Sequence, residues 1–161
     1  MQTFTVRPIG TTEITPEGMF LQLETEYIPA LQGLEGFSHL NVLWWFDQLD
    51  DERSRRVLEI PKPYQKAPEV LGTFATHSPQ RPNPLALTAV EVLSIDPTAG
   101  RVQVAYIDAM DGSPILDLKP YTPSESRVEA PAVPDWCAHW PQSVESGEDF
   151  DWEGEFLFSG E

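Results

Sequence analysis

Two short stretches of this chain combine side chains that can hold a ligand with prolines that can hold those side chains still. The first is Thr76-His77-Ser78-Pro79-Gln80-Arg81-Pro82-Asn83-Pro84. Each proline fixes its own φ, and each residue before one is pushed toward extended backbone. Ser78, Arg81 and Asn83 are thereby presented at little entropic cost. The second is Asp108-Ala109-Met110-Asp111-Gly112-Ser113-Pro114, which leads into Ile115-Leu-Asp117-Leu-Lys119-Pro120-Tyr121. Its Asp-Gly followed by Ser-Pro is turn chemistry. Either stretch alone is compatible with an ordinary turn laced with ion pairs. Two in one small domain point to a site whose work is binding and positioning.

No catalytic group stands out beside them. The single cysteine, Cys137, reads as a buried or idle thiol, and one thiol makes neither a disulfide nor a metal site. His39 sits inside an apolar run and reads as a hydrogen-bonded core residue rather than a base. His139 carries no signal beyond its place between Trp136 and Trp140. Asp117 suits a buried ion pair as well as a functional role.

The elements that must position these stretches are mostly strands. Sixteen prolines exclude long helices, because proline removes a backbone donor and clashes inside a helix. Extended runs are expected at 19–24, at the aromatic 37–46, and at 70–76, 87–95, 101–107 and 115–118, with a late strand over 155–158. Asp96 to Gly100 reads as the hairpin loop between two of them. Asp47 to Leu58 reads as a helix ended by Pro61, and 134–139 as a turn of helix. The 142–151 segment reads as a linker or mobile loop. The fold class is mainly β, a closed or nearly closed barrel with few short helices. Without βαβ alternation or a Gly-rich phosphate loop, it is not a Rossmann sheet.

Charge narrows the partners. The chain has 161 residues and a net charge of −16. From Glu129 onward there are nine acids and no Lys or Arg. Half of the ten bases (Arg53, Arg55, Arg56, Lys62 and Lys66) fall in one stretch. Binding nucleic acid is electrostatic at its base, so the composition disfavours a general RNA or DNA binder and leaves room for one local patch. The acidic end reads as a solvated surface. No run approaches the ~20 apolar residues of a membrane span and no leader opens the chain, so a soluble cytoplasmic protein is expected.

The pairing of G-x-F-A-T-x-S-x-x-R-P-N-P with D-x-x-D-G-S-P-I-L-D-L-K-P-Y resembles the TsaA-like family. Pro8-Ile9-Gly10, Gly33-Leu34-Glu35-Gly36-Phe37-Ser38-His39-Leu40 and Val133-Pro134-Asp135-Trp136 extend the resemblance over 6–140. It implies a β-barrel methyltransferase, usually homodimeric, that uses S-adenosylmethionine to methylate N6 of threonylcarbamoyl-adenosine beside the tRNA anticodon. It implies cofactor contacts at Asp47, Gln48, His77, Leu87, Ala109, Met110, Asp111 and Gly112. Ser78, Arg81 and Asn83 would shape the same loop or meet substrate, and Lys119 and Tyr121 would flank the pocket mouth. Methyl transfer from a sulfonium needs positioning and water exclusion more than acid–base power, which suits a stiff loop.

The chain departs from the pattern in four places. His77 stands where the family carries Arg, and imidazole loses its charge near neutrality. Leu85-Ala86 replaces Ile-Gly. No counterpart of the family's Pro-Arg-Gln-Pro loop follows the first strand. An acidic extension, 142–161, follows a barrel domain of 1–141 where bacterial relatives carry a further region. Three functions therefore stay open: a tRNA methyltransferase, a methyltransferase of a small molecule or protein, and a non-enzymatic barrel that has lost its cofactor.

Overall fold

The computed structural model describes residues 2–157. Its strands run β1 Gly10–Thr15, β2 Gly18–Leu23, β3 His39–Trp45, β4 Glu59–Pro61, β5 Val70–Gly72, β6 Leu85–Asp96, β7 Arg101–Val104 and β8 Pro114–Pro120. Six of them close an antiparallel barrel in the order β1-β2-β7-β6-β3-β8, with β8 returning to β1. The chain divides into two compact units. The barrel unit comprises Met1–Asp50 and Pro84–Arg127; the second comprises Asp51–Asn83 and Val128–Glu161.

Alternation builds the barrel. Leu40, Val42 and Trp44 of β3 point inward, as do Ala86 and Val90 of β6, Leu21 and Leu23 of β2, Val102 and Val104 of β7, and Ile115 of β8. Side chains one residue away from these face outward, as a pleated strand requires. Trp44, inside the barrel, satisfies its indole N–H on Thr88 Oγ1 at 3.0 Å. The Pro-Ile-Gly opening has a steric reason: a Cβ at Gly10 would lie 2.1 Å from the Gln22 carbonyl oxygen. Only glycine lets β1 approach β2 there.

Several sequence expectations shift. The 47–58 helix is instead a 3-10 turn, Asp47–Leu49, followed by α1, Glu52–Arg55. Asp51 starts the new helix by accepting hydrogen bonds from the amides of Arg53 and Ser54. The 70–76 strand stops at Gly72, because the Thr73 hydroxyl donates to Val57 O and the Thr76 amide and hydroxyl turn back onto Thr73 O. His39 is hydrogen-bonded to Ser38 Oγ, as expected, but it lies on the part-buried side of β3, opposite Leu40, and not in the core. Asp117 pairs with Lys119 at 3.1 Å with both side chains about half exposed, so the pair is not buried. The expected helical turn at 134–139 is a 3-10 turn, Asp135–Cys137, and 142–151 contains another, Glu145–Gly147. Two more short helices are α2, Pro123–Ser126, and α3, Trp152–Glu155. The late strand reduces to one bridge between Phe156 and Tyr64, and Phe158 lies outside the described residues.

The second unit has its own small core of Tyr64, Ala67 and Leu71, packed by Trp136, Trp140 and Phe156, beside the β4–β5 ribbon. Cys137 is buried, and burial pushes its thiol pKa up, away from the reactive thiolate. Among the described residues no helix is long and apolar enough to cross a membrane, and no group of three or more His, Cys, Asp or Glu could hold a metal ion.

Candidate functional site

Strand register gathers residues that are far apart in sequence. β3 pairs antiparallel with both β6 and β8, Trp45 opposite Leu85 and Trp44 opposite Ile115. The end of β3 and the beginnings of β6 and β8 therefore share one rim of the barrel. Phe46 N–H donates to Pro84 O at 2.9 Å and ties two of them together. Asp47 and Gln48 are exposed on the turn that follows β3. Leu87, on the outward side of β6, is 64% exposed. Ala109 to Gly112 come directly before β8. Of the eight positions expected to contact cofactor, this rim collects all but His77.

The 108–114 segment is held by a residue the sequence motifs did not single out. Thr12 of β1, 1% exposed, donates from Oγ1 to Met110 O at 2.6 Å and accepts there from the Ser113 amide at 3.0 Å. Its backbone carbonyl accepts from the Gly112 amide at 2.8 Å. Asp111 Oδ1 accepts from Ile14 N–H at 2.9 Å. Gly112 adopts φ +80°, a conformation that L side chains rarely take. Met110 is left outside this clasp, 62% exposed. A threonine in the opening strand was the available signal, and it becomes meaningful only when β1 meets the loop.

The 76–84 stretch begins in the second unit, which holds everything up to Asn83. Here the loop braces itself. Arg81 Nη1 donates to the carbonyls of Thr76 and Ser78, both at 3.2 Å, and Thr76 Oγ1 accepts from the Ser78 amide. Arg55 Nη1 donates to Pro82 O at 3.2 Å. Tyr64 is hydrogen-bonded to the backbone of His77; burial raises the phenol's pKa and that bond opposes the shift. His77 and Asn83 are exposed and Ser78 is half-buried. Phe74, on the turn just before, is 81% exposed. Asp51 holds α1 and so Arg55; hydrogen bonds, first that from the Ser54 side chain, lower its pKa.

Lys119 and Tyr121 are not at the rim of 108–114. Asn41 lies opposite Lys119, and the Tyr121 amide donates to His39 O, which puts both at the start of β3. β8 has seven residues, so they stand at its far end, about 20 Å along the strand.

The family model of the tRNA-methyltransferase O N-terminal domain matches residues 5–126. An S-adenosyl-L-methionine-binding protein of Archaeoglobus fulgidus is 40% identical over 98 residues, 61% of this chain and 65% of its own length. The tRNA (adenine(37)-N6)-methyltransferase of Escherichia coli is 35% identical over 121 residues, 74% of this chain but 48% of its own. The crystal structure of TrmO from Pseudomonas aeruginosa superposes with a TM-score of 0.62 at 28% identity, covering 81% of this chain and 62% of that one. The chain thus spans between about half and two thirds of these relatives.

Proposed function

Because this chain belongs to the tRNA-methyltransferase O N-terminal domain family, we propose that it binds S-adenosylmethionine and methylates N6 of threonylcarbamoyl-adenosine in tRNA. The observation that carries the proposal is the gathering of Asp47, Gln48, Leu87 and the Thr12-clasped 109–112 segment at one barrel rim.

These residues fit the cofactor. Leu87 and Met110 expose apolar side chains that a purine can cover. The exposed carboxylates of Asp47 and Asp108 favour a cation. The cofactor supplies an electrophilic methyl group on that cationic sulfonium. The chain's part is to orient and to exclude water. Thr12 holds the carbonyl of Met110 and the amide of Ser113 still, so the segment presents one geometry. Arg81 does the same for the 76–84 backbone. Ser78 and Asn83 keep their proposed roles toward substrate, whereas Lys119 and Tyr121, at the far end of β8, do not flank this rim. A cytoplasmic two-fold homodimer belongs to the same proposal, supported by Leu85, Leu87 and Leu93 standing exposed along one strand. Light scattering should give twice the 18.1 kDa monomer mass.

Two measurements test the reading. Calorimetry should show saturable binding of S-adenosylmethionine; no heat and no thermal shift at millimolar cofactor refutes it. Reversing Arg53, Arg56 and Lys66 to Glu should abolish tRNA methylation and spare cofactor binding. Arg55 is kept because it holds Pro82. A small-molecule acceptor is the second reading, favoured by His77 in place of an arginine and by the packing of the acidic end described next. Unchanged activity in the triple variant would select it.

A further inference from the structure

The acidic C-terminal stretch, within the second unit, lies against the C-terminal end of the basic run. Leu157 N–H donates to Pro63 O at 2.9 Å, Gln65 N–H to Glu155 O at 3.1 Å, and Gln65 Nε2 to Gly154 O at 2.9 Å. Tyr64, between them, stacks on Trp136 with centroids 5.5 Å apart and meets Trp140 edge-on at 4.8 Å. Glu155, 6% exposed, accepts from Trp140 Nε1 at 3.0 Å and pairs with His139 Nε2 at 3.1 Å. Aromatic packing and a satisfied buried carboxylate thus clamp the stretch onto Pro63–Gln65, which lies between Lys62 and Lys66.

The carboxylates that remain outside the clamp matter most. Glu148, Asp149 and Glu153 are exposed. Two bases of the run have local partners instead, Arg56 with Glu52 and Lys62 with Glu69. Glu153 precedes Gly154, the residue that holds Gln65, so chain geometry puts it within about 15 Å of Lys66. Charges at that separation act on each other in dilute salt and are screened at high salt.

We propose that residues 128–157 form an intramolecular competitor for the RNA backbone, lowering the affinity of the basic run for any polyanion. The inference rests on the tRNA reading. It makes retention of a substrate depend on contacts other than phosphates, which separates a cognate RNA from bulk polyanion.

The test uses the full chain and an unmodified tRNA transcript, with affinity measured by fluorescence anisotropy at several salt concentrations. The variant E148Q/D149N/E153Q removes three exposed acids without touching the clamp. The control E17Q/E24Q/E26Q removes three exposed acids from the barrel unit. The first should bind roughly tenfold tighter in dilute salt, an advantage that shrinks as salt rises, and the control less than twofold. Circular dichroism should be the same for all three proteins. Equal gains in both variants, or none in either, overturn the competitor while the tRNA reading stands. Indifference of tRNA affinity to R53E/R56E/K66E overturns both.

Discussion

The 108–114 and 76–84 segments look alike in sequence, and each is a polar turn stiffened by proline. They differ in what holds them. The first is fastened by Thr12, 98 residues from Met110, and by the Ile14 amide, both on the first strand of the barrel. The second is fastened largely by itself, Arg81 reaching back to Thr76 and Ser78, with Arg55 and Tyr64 as more distant supports. The first is therefore as rigid as the barrel is closed, whereas the second keeps its shape through short-range constraints. Function asks the same of both, and the chain meets it by two routes.

The contrast breaks most sharply at Thr12. Thr12→Val conserves shape but leaves the Met110 carbonyl and Ser113 amide with only the longer bond between them, at 3.2 Å. The expected cost is about 2 kcal/mol, a fall in melting temperature of roughly 5 °C, with weakened S-adenosylmethionine binding in calorimetry. Arg81→Ala should cost less, about 1 kcal/mol. Its signature is local: faster amide exchange confined to 76–83. Gly112→Ala meets no atom within 4 Å, so its penalty is conformational alone, about 1 kcal/mol from the positive φ. A loss of cofactor affinity in Thr12→Val equal to that in Gly112→Ala would mean the clasp adds nothing beyond the turn.

The smallest effect expected is alkaline and belongs to the second segment. Tyr64 has a raised pKa in the fold, chiefly through burial. The folded state then keeps this proton at pH values where the unfolded chain has lost it. Stability is whole below the ordinary tyrosine pKa of about 10 and falls as pH rises above it. Denaturant unfolding followed from pH 9 to 11.5 should show that decline, and Tyr64→Phe should flatten it while costing some stability at neutral pH through the lost bond to His77. An unchanged slope in Tyr64→Phe would assign the decline to other groups.

Local features were legible in the sequence. The aromatic run over 37–46 marked a strand, and β3 takes up His39–Trp45 of it, while Asp96 to Gly100 turned as its residues require. Both polar segments were visible because proline and glycine act on their nearest neighbours. The helix over 47–58 misread Asp47 as the starting residue when Asp51 has the capping partners. The strand over 70–76 ran too far because the hydroxyls of Thr73 and Thr76, β-branched residues that favour strands, bond to carbonyls instead. The acidic end read as solvated surface, since charge count hides the spacing of Trp136, Trp140 and Phe156 that buries Glu155.

The sequence by itself determined where most of the barrel strands run and where the two polar segments turn. Those properties depend on covalent geometry and on residues a few positions away. Only the tertiary structure decided that Thr12 clasps the 108–114 segment, that β3, β6 and β8 bring Asp47, Leu87 and Met110 to one rim, and that the stretch from Gly154 to Leu157 docks on Pro63 and Gln65. Each is a matter of register or docking between distant stretches, and a hydrogen bond or an electric field acts on distance in space, which chain order does not contain.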